Sequence, residues 1–271
     1  MASDKALVHI QAAEAFTRLL AIMAELREKC PWDQEQTMES LRHLALEEAF
    51  ELSEAVLEGN MQEIKKELGD LLLHIVFYAH IASETQTFTI TEVIQTLCDK
   101  LIYRHPHIYG QQKAVDSEEV EKNWEKLKLK EGQNKSVLGG VPRSLPSLLK
   151  AARIQEKVHR VGFDFQNQEA AWQKVQEEIE KLMQEVEQPS PTPAQQEKIE
   201  EEFGDLLFAL TSYARFIDVN PENALEQANR KFTKRFQYIE QQLAKQGKQI
   251  TQLSPQALLS YWEQAKEAAI S

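Results

Sequence analysis

The stretch LEEAFELSEAVLEGNMQEIKKELGDLL, residues 46–72, predicts two antiparallel helices joined by a tight turn. Gly59 followed by Asn60 provides the expected stop between them. Apolar residues cover most of the circumference of the second helix and leave a narrow polar strip that contains Glu67 and Asp70. Because ionised carboxylates on a buried helix are costly unless they are paired or bound to a cation, the strip indicates a cation site.

Four carboxylates are predicted to converge in this hairpin. Glu48 and Glu51 share one face of the first helix, as Glu67 and Asp70 do on the second. If the hairpin is centred on Gly59, Glu51 comes level with Glu67, and Glu48 comes level with Asp70. Oxygen ligands without cysteine or a second histidine favour Mg²⁺ or Mn²⁺ over zinc or copper.

A solvated acidic surface is the competing interpretation of the first helix. Four glutamates follow one line along it, and Glu51 belongs to this line too: Glu47, Glu51, Glu54 and Glu58. A di-iron bundle is disfavoured, because it would need two Glu-x-x-His motifs. That spacing occurs in the sequence only from Glu156 to His159, outside the hairpin.

The chain repeats this unit. Residues 176–210, QEEIEKLMQEVEQPSPTPAQQEKIEEEFGDLLFAL, form a second copy of the hairpin pattern. Three carboxylates correspond between the copies: Glu178 to Glu48, Glu202 to Glu67, and Asp205 to Asp70. The segment EGQNKSVLGGVPRSLP, residues 131–146, has the glycine and proline content of a linker. The sequence therefore predicts an all-α protein with two helical domains, residues 1–136 and 137–271.

The second copy departs from the first at one carboxylate. Lys181 stands where the first copy has Glu51, and an ammonium group there would repel a cation. The second copy also has Lys198 where the first has Glu63, and this lysine is a candidate contact for a phosphate group. The first unit thus keeps the complete carboxylate set, and the second is weakened or specialised.

Each copy also carries a basic pair and a tryptophan further along the chain. The corresponding residues are Lys100, Arg104 and Trp124 in the first copy, and Lys231, Arg235 and Trp262 in the second. A lysine and an arginine four residues apart on a helix can hold phosphate oxygens beside a metal, although a solvated cationic face has the same spacing. Each tryptophan either stacks on a base or seals the core.

The composition limits the class of protein. The formal charge of −12 argues against binding a nucleic-acid polymer or an anionic membrane through a basic face. No sequence window approaches the roughly 18 apolar residues of a membrane span, and the first residues lack the pattern of a signal peptide. Cys30 and Cys98 have no metal-ligand spacing and are expected to be reduced thiols. We therefore expect a cytoplasmic protein without membrane or nucleic-acid partners.

Several motifs together resemble the MazG family of bacterial nucleoside triphosphate pyrophosphohydrolases. They are CPWDQEQT, LEEAFEL, ELGDLL, RHPHIYG, VPRSLPSLLKAARIQEKVHRVGFDF and EEFGDLLFA, and the resemblance spans residues 15–265. It implies tandem all-α helical-bundle domains and a homodimer. It also implies Mg²⁺-dependent hydrolysis of NTPs and dNTPs, with broad base tolerance, to the monophosphate and pyrophosphate. The family's presumed role is the clearing of unwanted nucleotides.

The resemblance assigns residues by position. Metal ligands fall on Glu48, Glu51, Glu67 and Asp70, and in the second unit on Glu178, Glu202 and Asp205, with Lys181 breaking the pattern. Nucleotide-binding residues fall on Lys198, Lys231, Arg235 and Trp262. In this family the second domain can carry the main activity, whereas the ligand count here favours the first.

These assignments predict a mechanism. The metal would offset charge on the phosphates and activate a water, which Glu47 or Glu48 would orient or deprotonate. Lys100 and Arg104 would stabilise charge on the departing pyrophosphate.

Two other classes of protein stay open from the residues themselves. A catalytically weak helical nucleotide-binding or sensing module is favoured by Lys181. A helical scaffold with solubilising carboxylates is disfavoured by the narrow acidic strip on an otherwise apolar helix. Among enzymes, all-α hydrolases of dUTP or of phosphoribosyl-ATP share the carboxylate set. The tandem repeat and the RHPH and PRSLP segments favour MazG over both.

Overall fold

The protein is all-α in the part of the chain that the computed structural model describes. That part comprises residues 2–110, 136–187 and 192–268, with the isolated positions Asp116, Val120, Trp124 and Leu127, and side chains from Ala6 onward. The chain divides into two compact units, Met1–Lys113 and Ala114–Ser271. The boundary predicted between residues 136 and 137 follows a stretch that lies mostly outside the described residues, and it stays a prediction.

The described helices of the first unit are α1 (Ala2–Lys29), α2 (Pro31–Glu35), α3 (Met38–Glu58), α4 (Met61–Glu84), α5 (Ile90–Arg104) and α6 (Pro106–Tyr109). Local signals fix the predicted hairpin of α3 and α4. Thr37 forms a capping box with Ser40 at the start of α3, and Asn60 accepts hydrogen bonds from two amides at the start of α4. Gly59 ends α3 in the left-handed conformation, with φ of 66°. The two-helix prediction is confirmed.

The core of the first unit lies where α1, α3 and α4 meet. Four buried side chains form its centre: Met23, Leu41, Val76 and Phe77. Phe16, Leu19 and Leu20 of α1 pack against this centre. The stretch Ala6–Lys29 is also long and apolar enough to cross a membrane by length and composition, a test that core helices and signal sequences also pass. This finding differs from the sequence-based expectation that no window would approach a membrane span.

The second unit repeats the hairpin. Its described helices are α7 (Ser147–Arg160), α8 (Gln168–Val186), α9 (Pro193–Phe216), α10 (Pro221–Lys245) and α11 (Pro255–Glu267), with 3₁₀ turns at Val137–Gly140 and Ile250–Gln252. Asn167 caps α8, and Thr192 forms a capping box with Gln195 at the start of α9. α8 and α9 pack along each other as α3 and α4 do.

One expectation about burial is wrong for the single chain. The apolar circumference of α4 predicted a helix buried on nearly every side, yet Leu68, Leu72 and Ile75 are exposed. Phe203, Leu207 and Leu210 of α9 occupy the matching positions and are exposed as well. These residues recur at i, i+4 and i+7, so each hairpin carries an uncovered apolar stripe along one helix. Helix periodicity identifies apolar faces, but it does not say which of them finds a partner.

Substituting Gly59 by alanine is expected to destabilise the first hairpin by about 1 kcal/mol, because a Cβ disfavours the left-handed backbone. A Cβ at Gly59 meets nothing within 4 Å, so the effect is conformational rather than steric. Urea unfolding followed by circular dichroism measures it. Gly69→Ala is the matched control, since its Cβ also meets nothing within 4 Å and its backbone lies inside α4. Equal destabilisation by both substitutions would contradict the explanation.

Candidate metal centre

Three carboxylates of the α3–α4 hairpin come together. Glu48 of α3 and Glu67 and Asp70 of α4 each offer an oxygen, and these oxygens lie within 4.8 Å of one another. Glu67 is 3% exposed, and its Oε2 is buried without a hydrogen-bond partner. An unsatisfied buried carboxylate oxygen is unfavourable unless a ligand completes it. Three hard oxygen donors with this arrangement fit Mg²⁺ or Mn²⁺.

The electrostatics of this first cluster also favour a cation. The pKa of Glu48 is raised, first by burial and then by the negative charges of Asp70 and Glu51. His74, one turn after Asp70, is buried, and burial lowers its pKa although Asp70 opposes the shift. Lys66 donates a hydrogen bond to Glu67 at 2.8 Å from an exposed position. Burial and the charges of Asp70 and Glu51 both disfavour the ionised form of Glu48, and a bound cation would offset both effects.

Glu51 and Glu47 lie outside this group of three. Both are exposed on α3. Glu51 is close enough for its charge to raise the pKa of Glu48. Sequence periodicity placed Glu51 level with Glu67, but the structure brings only three of the four predicted ligands of the first unit together. Glu51 therefore flanks the cluster at its solvent side.

The second unit has the equivalent cluster of Glu178, Glu202 and Asp205, whose oxygens also lie within 4.8 Å of one another. Its charge balance is different. Lys174 donates a short hydrogen bond to Glu178, and Lys181 lies 3.2 Å from the same carboxylate. The pKa of Glu178 is lowered, chiefly by the Lys174 hydrogen bond and further by Lys181, although burial opposes the shift. The equivalent residues Glu48 and Glu178 are therefore shifted in opposite directions.

Lys174 was missed in the sequence analysis. It lies one helical turn before Glu178, where the first unit has Leu44. The spacing of four residues was the available signal, since it places both side chains on one helical face. Lys181, predicted to repel a cation, contacts the predicted ligand Glu178. Glu178 Oε2 and Glu202 Oε2 are nevertheless buried without a hydrogen-bond partner, so the second cluster keeps two unsatisfied oxygens.

The other predicted nucleotide-binding residues of the second unit fall into two places. Lys198 of α9 pairs with Glu185 of α8 at 3.3 Å. The Arg235 guanidinium of α10 lies 5.8 Å from the ring centre of Trp262 on α11. Phe232 also packs on Trp262, with ring centres 4.9 Å apart. The Nε of Arg235 is buried without a hydrogen-bond partner, so this aromatic cluster contains an unsatisfied cationic donor. Lys231 is exposed one turn before Arg235.

The basic pair of the first unit lies on α5. Lys100 is exposed and Arg104 is half-buried at the last residue of the helix. Trp124 is half-buried, at an isolated described position. The roles predicted for these three residues stay predictions.

The titration of the first cluster gives a testable pH dependence. A carboxyl group whose pKa is raised in the folded protein lowers the stability of the metal-free fold when it ionises. This loss of stability occurs as pH rises from the ordinary pKa of glutamate through the raised pKa. Divalent cations should bind more tightly over the same interval, because they compete with the proton. We expect the melting temperature in EDTA to fall as pH rises across this window. The Glu48→Gln chain should lack this slope, and an identical slope in both chains would contradict the assignment.

Comparison with known proteins places the chain among bacterial relatives. The model of the MazG nucleotide pyrophosphohydrolase domain matches it twice, at residues 36–109 and 166–239, and each match contains one hairpin. The nucleoside triphosphate pyrophosphohydrolase/pyrophosphatase MazG of Thermotoga maritima is 43% identical over 260 residues, 94% of this chain and 97% of the relative. The nucleoside triphosphate pyrophosphohydrolase of Escherichia coli K12 is 39% identical over 259 residues, covering 93% and 97%. A crystal structure of a MazG-related protein from Thermotoga maritima covers 42% of this chain and 98% of its own, at 28% identity and a TM-score of 0.38.

Proposed function

This chain belongs to the MazG family of nucleotide pyrophosphohydrolases, and on that premise we propose that it hydrolyses nucleoside triphosphates between the α and β phosphates. The products are the nucleoside monophosphate and pyrophosphate. The reaction depends on Mg²⁺, with Mn²⁺ as a substitute, and accepts NTPs and dNTPs of different bases. Its biological role is the clearing of unwanted nucleotides from the cytoplasm, and neither a membrane nor a nucleic-acid polymer takes part.

The observation that carries this proposal is the first carboxylate cluster. Glu67 has a buried oxygen without a partner, and the pKa of Glu48 is raised first by burial and then by the charges of neighbouring carboxylates. A nucleoside triphosphate is itself polyanionic, and the chain has a net charge of −12. Carboxylates and phosphates can share one site only if cations lie between them. The cluster is therefore a place where a cation would serve both the protein and the substrate.

The mechanism assigns a task to each residue of the first unit. Glu48, Glu67 and Asp70 would hold the cation, and Glu51 would add negative charge at the solvent side. A cation held by these residues would supply charge neutralisation for the phosphates and activation of the attacking water. Glu48 or Glu47 would act as the general base that accepts a proton from this water. Lys100 and Arg104, one turn apart on α5, would stabilise charge on the departing pyrophosphate.

The second unit is proposed as a nucleotide site of different metal dependence. Lys174 and Lys181 already balance the charge of Glu178, so this cluster needs a cation less than the first does. Arg235, with its unsatisfied Nε beside Trp262, would contact the nucleotide together with Lys231 and Lys198. These lysine contacts also favour the second candidate function, a unit that binds nucleotide with little turnover.

A homodimer is proposed from the uncovered apolar stripes. Leu68, Leu72 and Ile75 expose a hydrophobic row, and the second unit exposes the equivalent row. Helical hairpins of this kind hide such rows by forming four-helix bundles. A partner chain that supplies a second hairpin would complete these bundles. Sedimentation equilibrium measures the mass directly, and a monomer of 31.2 kDa at micromolar concentration would contradict the dimer.

Product analysis tests the proposed activity. The protein is incubated with each NTP and dNTP in Mg²⁺, in Mn²⁺ and in EDTA, and the products are separated by anion exchange. Monophosphate plus pyrophosphate, formed with the cations and not in EDTA, is the expected result. Diphosphate plus phosphate, or no turnover with any nucleotide, would contradict the proposal and favour the nucleotide-binding alternative.

A further inference from the structure

Lys66 precedes Glu67 on α4, and its side chain reaches the first carboxylate cluster. The Lys66 Nζ lies 2.8 Å from Glu67 Oε1 and 3.9 Å from Glu63 Oε2. The Lys66 side chain is 60% exposed, whereas that of Glu67 is 3% exposed. The ammonium group therefore lies at the solvent side of the cluster, where it contacts a buried residue that is a proposed metal ligand.

The contact with Lys66 leaves Glu67 incompletely satisfied. Glu67 Oε1 accepts the hydrogen bond from Lys66, but Oε2 of the same carboxylate is buried without a partner. An exposed lysine holds such a contact weakly, because water screens its charge and its long side chain loses conformational freedom. A cation bound to the carboxylates would repel the ammonium group, and nothing buries the lysine in place. Lys66 is thus a counterion that can be displaced from the cluster.

The repeat indicates a second task for this lysine. In the second unit Lys198 lies one helical turn before Glu202 and is a proposed phosphate contact. The equivalent residue one turn before Glu67 is Glu63, an anion that would repel a phosphate. Lys66 follows Glu63 by three residues and lies on the same face of α4. The first unit therefore carries a lysine nearly one turn further along the helix, next to the ligand itself.

The two units draw the lysines at their clusters from opposite helices of the hairpin. The position of Lys66 corresponds to Glu201 in the second unit, and this glutamate is exposed. The lysines that contact the second cluster are Lys174 and Lys181 of α8, and both contact Glu178. The contact of Lys66 with a cluster carboxylate is therefore a feature of the first unit's own sequence.

We propose that Lys66 is a phosphate-binding residue of the first unit that exchanges partners. It is the counterion of Glu67 in the metal-free cluster, and it contacts the phosphates of a nucleoside triphosphate once a cation occupies the cluster. The inference rests on the proposed function for its ligand. It adds a third cationic group to Lys100 and Arg104, and it has a distinctive consequence. Lys66 competes with the metal ion when no nucleotide is present, and it strengthens nucleotide binding when the metal ion is bound.

Binding measurements on Lys66→Gln test this exchange through two effects of opposite sign. All chains carry Glu178→Gln and Arg235→Ala, which weaken metal and nucleotide binding at the second unit. Mn²⁺ affinity without nucleotide, measured by electron paramagnetic resonance, should rise about threefold because a competing charge is removed. Affinity for α,β-methylene-ATP at saturating Mn²⁺, measured by calorimetry, should fall about tenfold because a charge-assisted contact is lost.

Lys65→Gln is the matched control, since Lys65 is the exposed lysine beside Lys66 on the same helix. It removes the same charge and should change neither affinity. A rise in Mn²⁺ affinity without a loss of nucleotide affinity would show that Lys66 is a counterion only, and it would overturn the proposal. Equal changes in both lysine variants would overturn it too, because net charge would then explain them.

The parent chain of these titrations separates this inference from the proposed function. If the parent chain binds α,β-methylene-ATP in Mn²⁺ and Lys66→Gln binds it equally well, the inference is wrong and the proposed function stands. If the parent chain binds no nucleotide in Mn²⁺, both are wrong for the first unit. Product analysis of the unaltered chain shows a failure of the hydrolase proposal independently of any change at Lys66.

Discussion

Replacing Glu48 by glutamine is expected to lower the turnover of nucleoside triphosphates about 100-fold or more, because a metal centre supplies several kcal/mol of charge stabilisation and each 1.36 kcal/mol is tenfold in rate. The same change should raise the melting temperature of the metal-free protein. As an anion, Glu48 is disfavoured first by burial and then by repulsion from Asp70 and Glu51. A neutral amide of similar shape removes both penalties. Loss of activity with a gain in stability is typical of a residue kept for function.

The measurement pairs steady-state kinetics with thermal unfolding in EDTA. Glu39→Gln is the matched control, since Glu39 is exposed in the first turn of the same helix and outside the cluster. Glu178→Gln is measured beside it to show how much turnover the second unit carries. Full activity in the Glu48 variant with loss of activity in the Glu178 variant would move the working centre to the second unit. Loss of both activity and helical signal would instead indicate a structural role for Glu48.

Giving the second unit the charges of the first is expected to create a tighter cation site there. The double substitution Lys174→Leu and Lys181→Glu removes two ammonium groups from Glu178 and restores a carboxylate at the position of Glu51. At about 4 Å, two unit charges interact by roughly 1 to 4 kcal/mol in the range from bulk water to a protein surface. We therefore expect Mn²⁺ affinity at the second cluster to rise about tenfold or more. The pKa of Glu178, now lowered by the lysines, should rise as that of Glu48 does.

Titration of Mn²⁺ by electron paramagnetic resonance, in a Glu48→Gln background that weakens the first cluster, measures this gain. Lys245→Glu combined with Lys248→Leu, the same two kinds of change at exposed lysines at and just after the end of α10, controls for net charge. A matching gain in that control would show that bulk electrostatics, not the cluster, is responsible. Unchanged Mn²⁺ affinity in the double variant would contradict the view that Lys174 and Lys181 act as internal counterions.

Much of the architecture was predictable because it depends on short-range signals. The hairpin of α3 and α4 needed a glycine that tolerates a positive φ, an asparagine cap and apolar residues at helical spacing, and all three are visible in the sequence. The repeat made the second hairpin predictable as well. Family membership, inferred from the motifs, is confirmed by a domain model that matches the chain twice.

The site was only partly predictable. Helical spacing placed Glu48, Glu67 and Asp70 on facing strips, and the structure brings their oxygens together. The same spacing also included Glu51, which the structure leaves exposed. A helical wheel gives the direction of a side chain, but it gives neither the distance between two helices nor the depth at which a residue lies. Charge partners such as Lys174 depend on both.

The sequence by itself determined the all-α class, the tandem repeat, the turn at Gly59 and the pairing of acidic residues across each hairpin, because these follow from backbone preferences and from periodicity along one chain. Only the tertiary structure decided two other features. Glu48 and Glu178 have pKa values shifted in opposite directions, and Leu68 and Phe203 stay uncovered. Each depends on contacts between residues distant in sequence, since burial and local charge arise from the three-dimensional surroundings of a side chain.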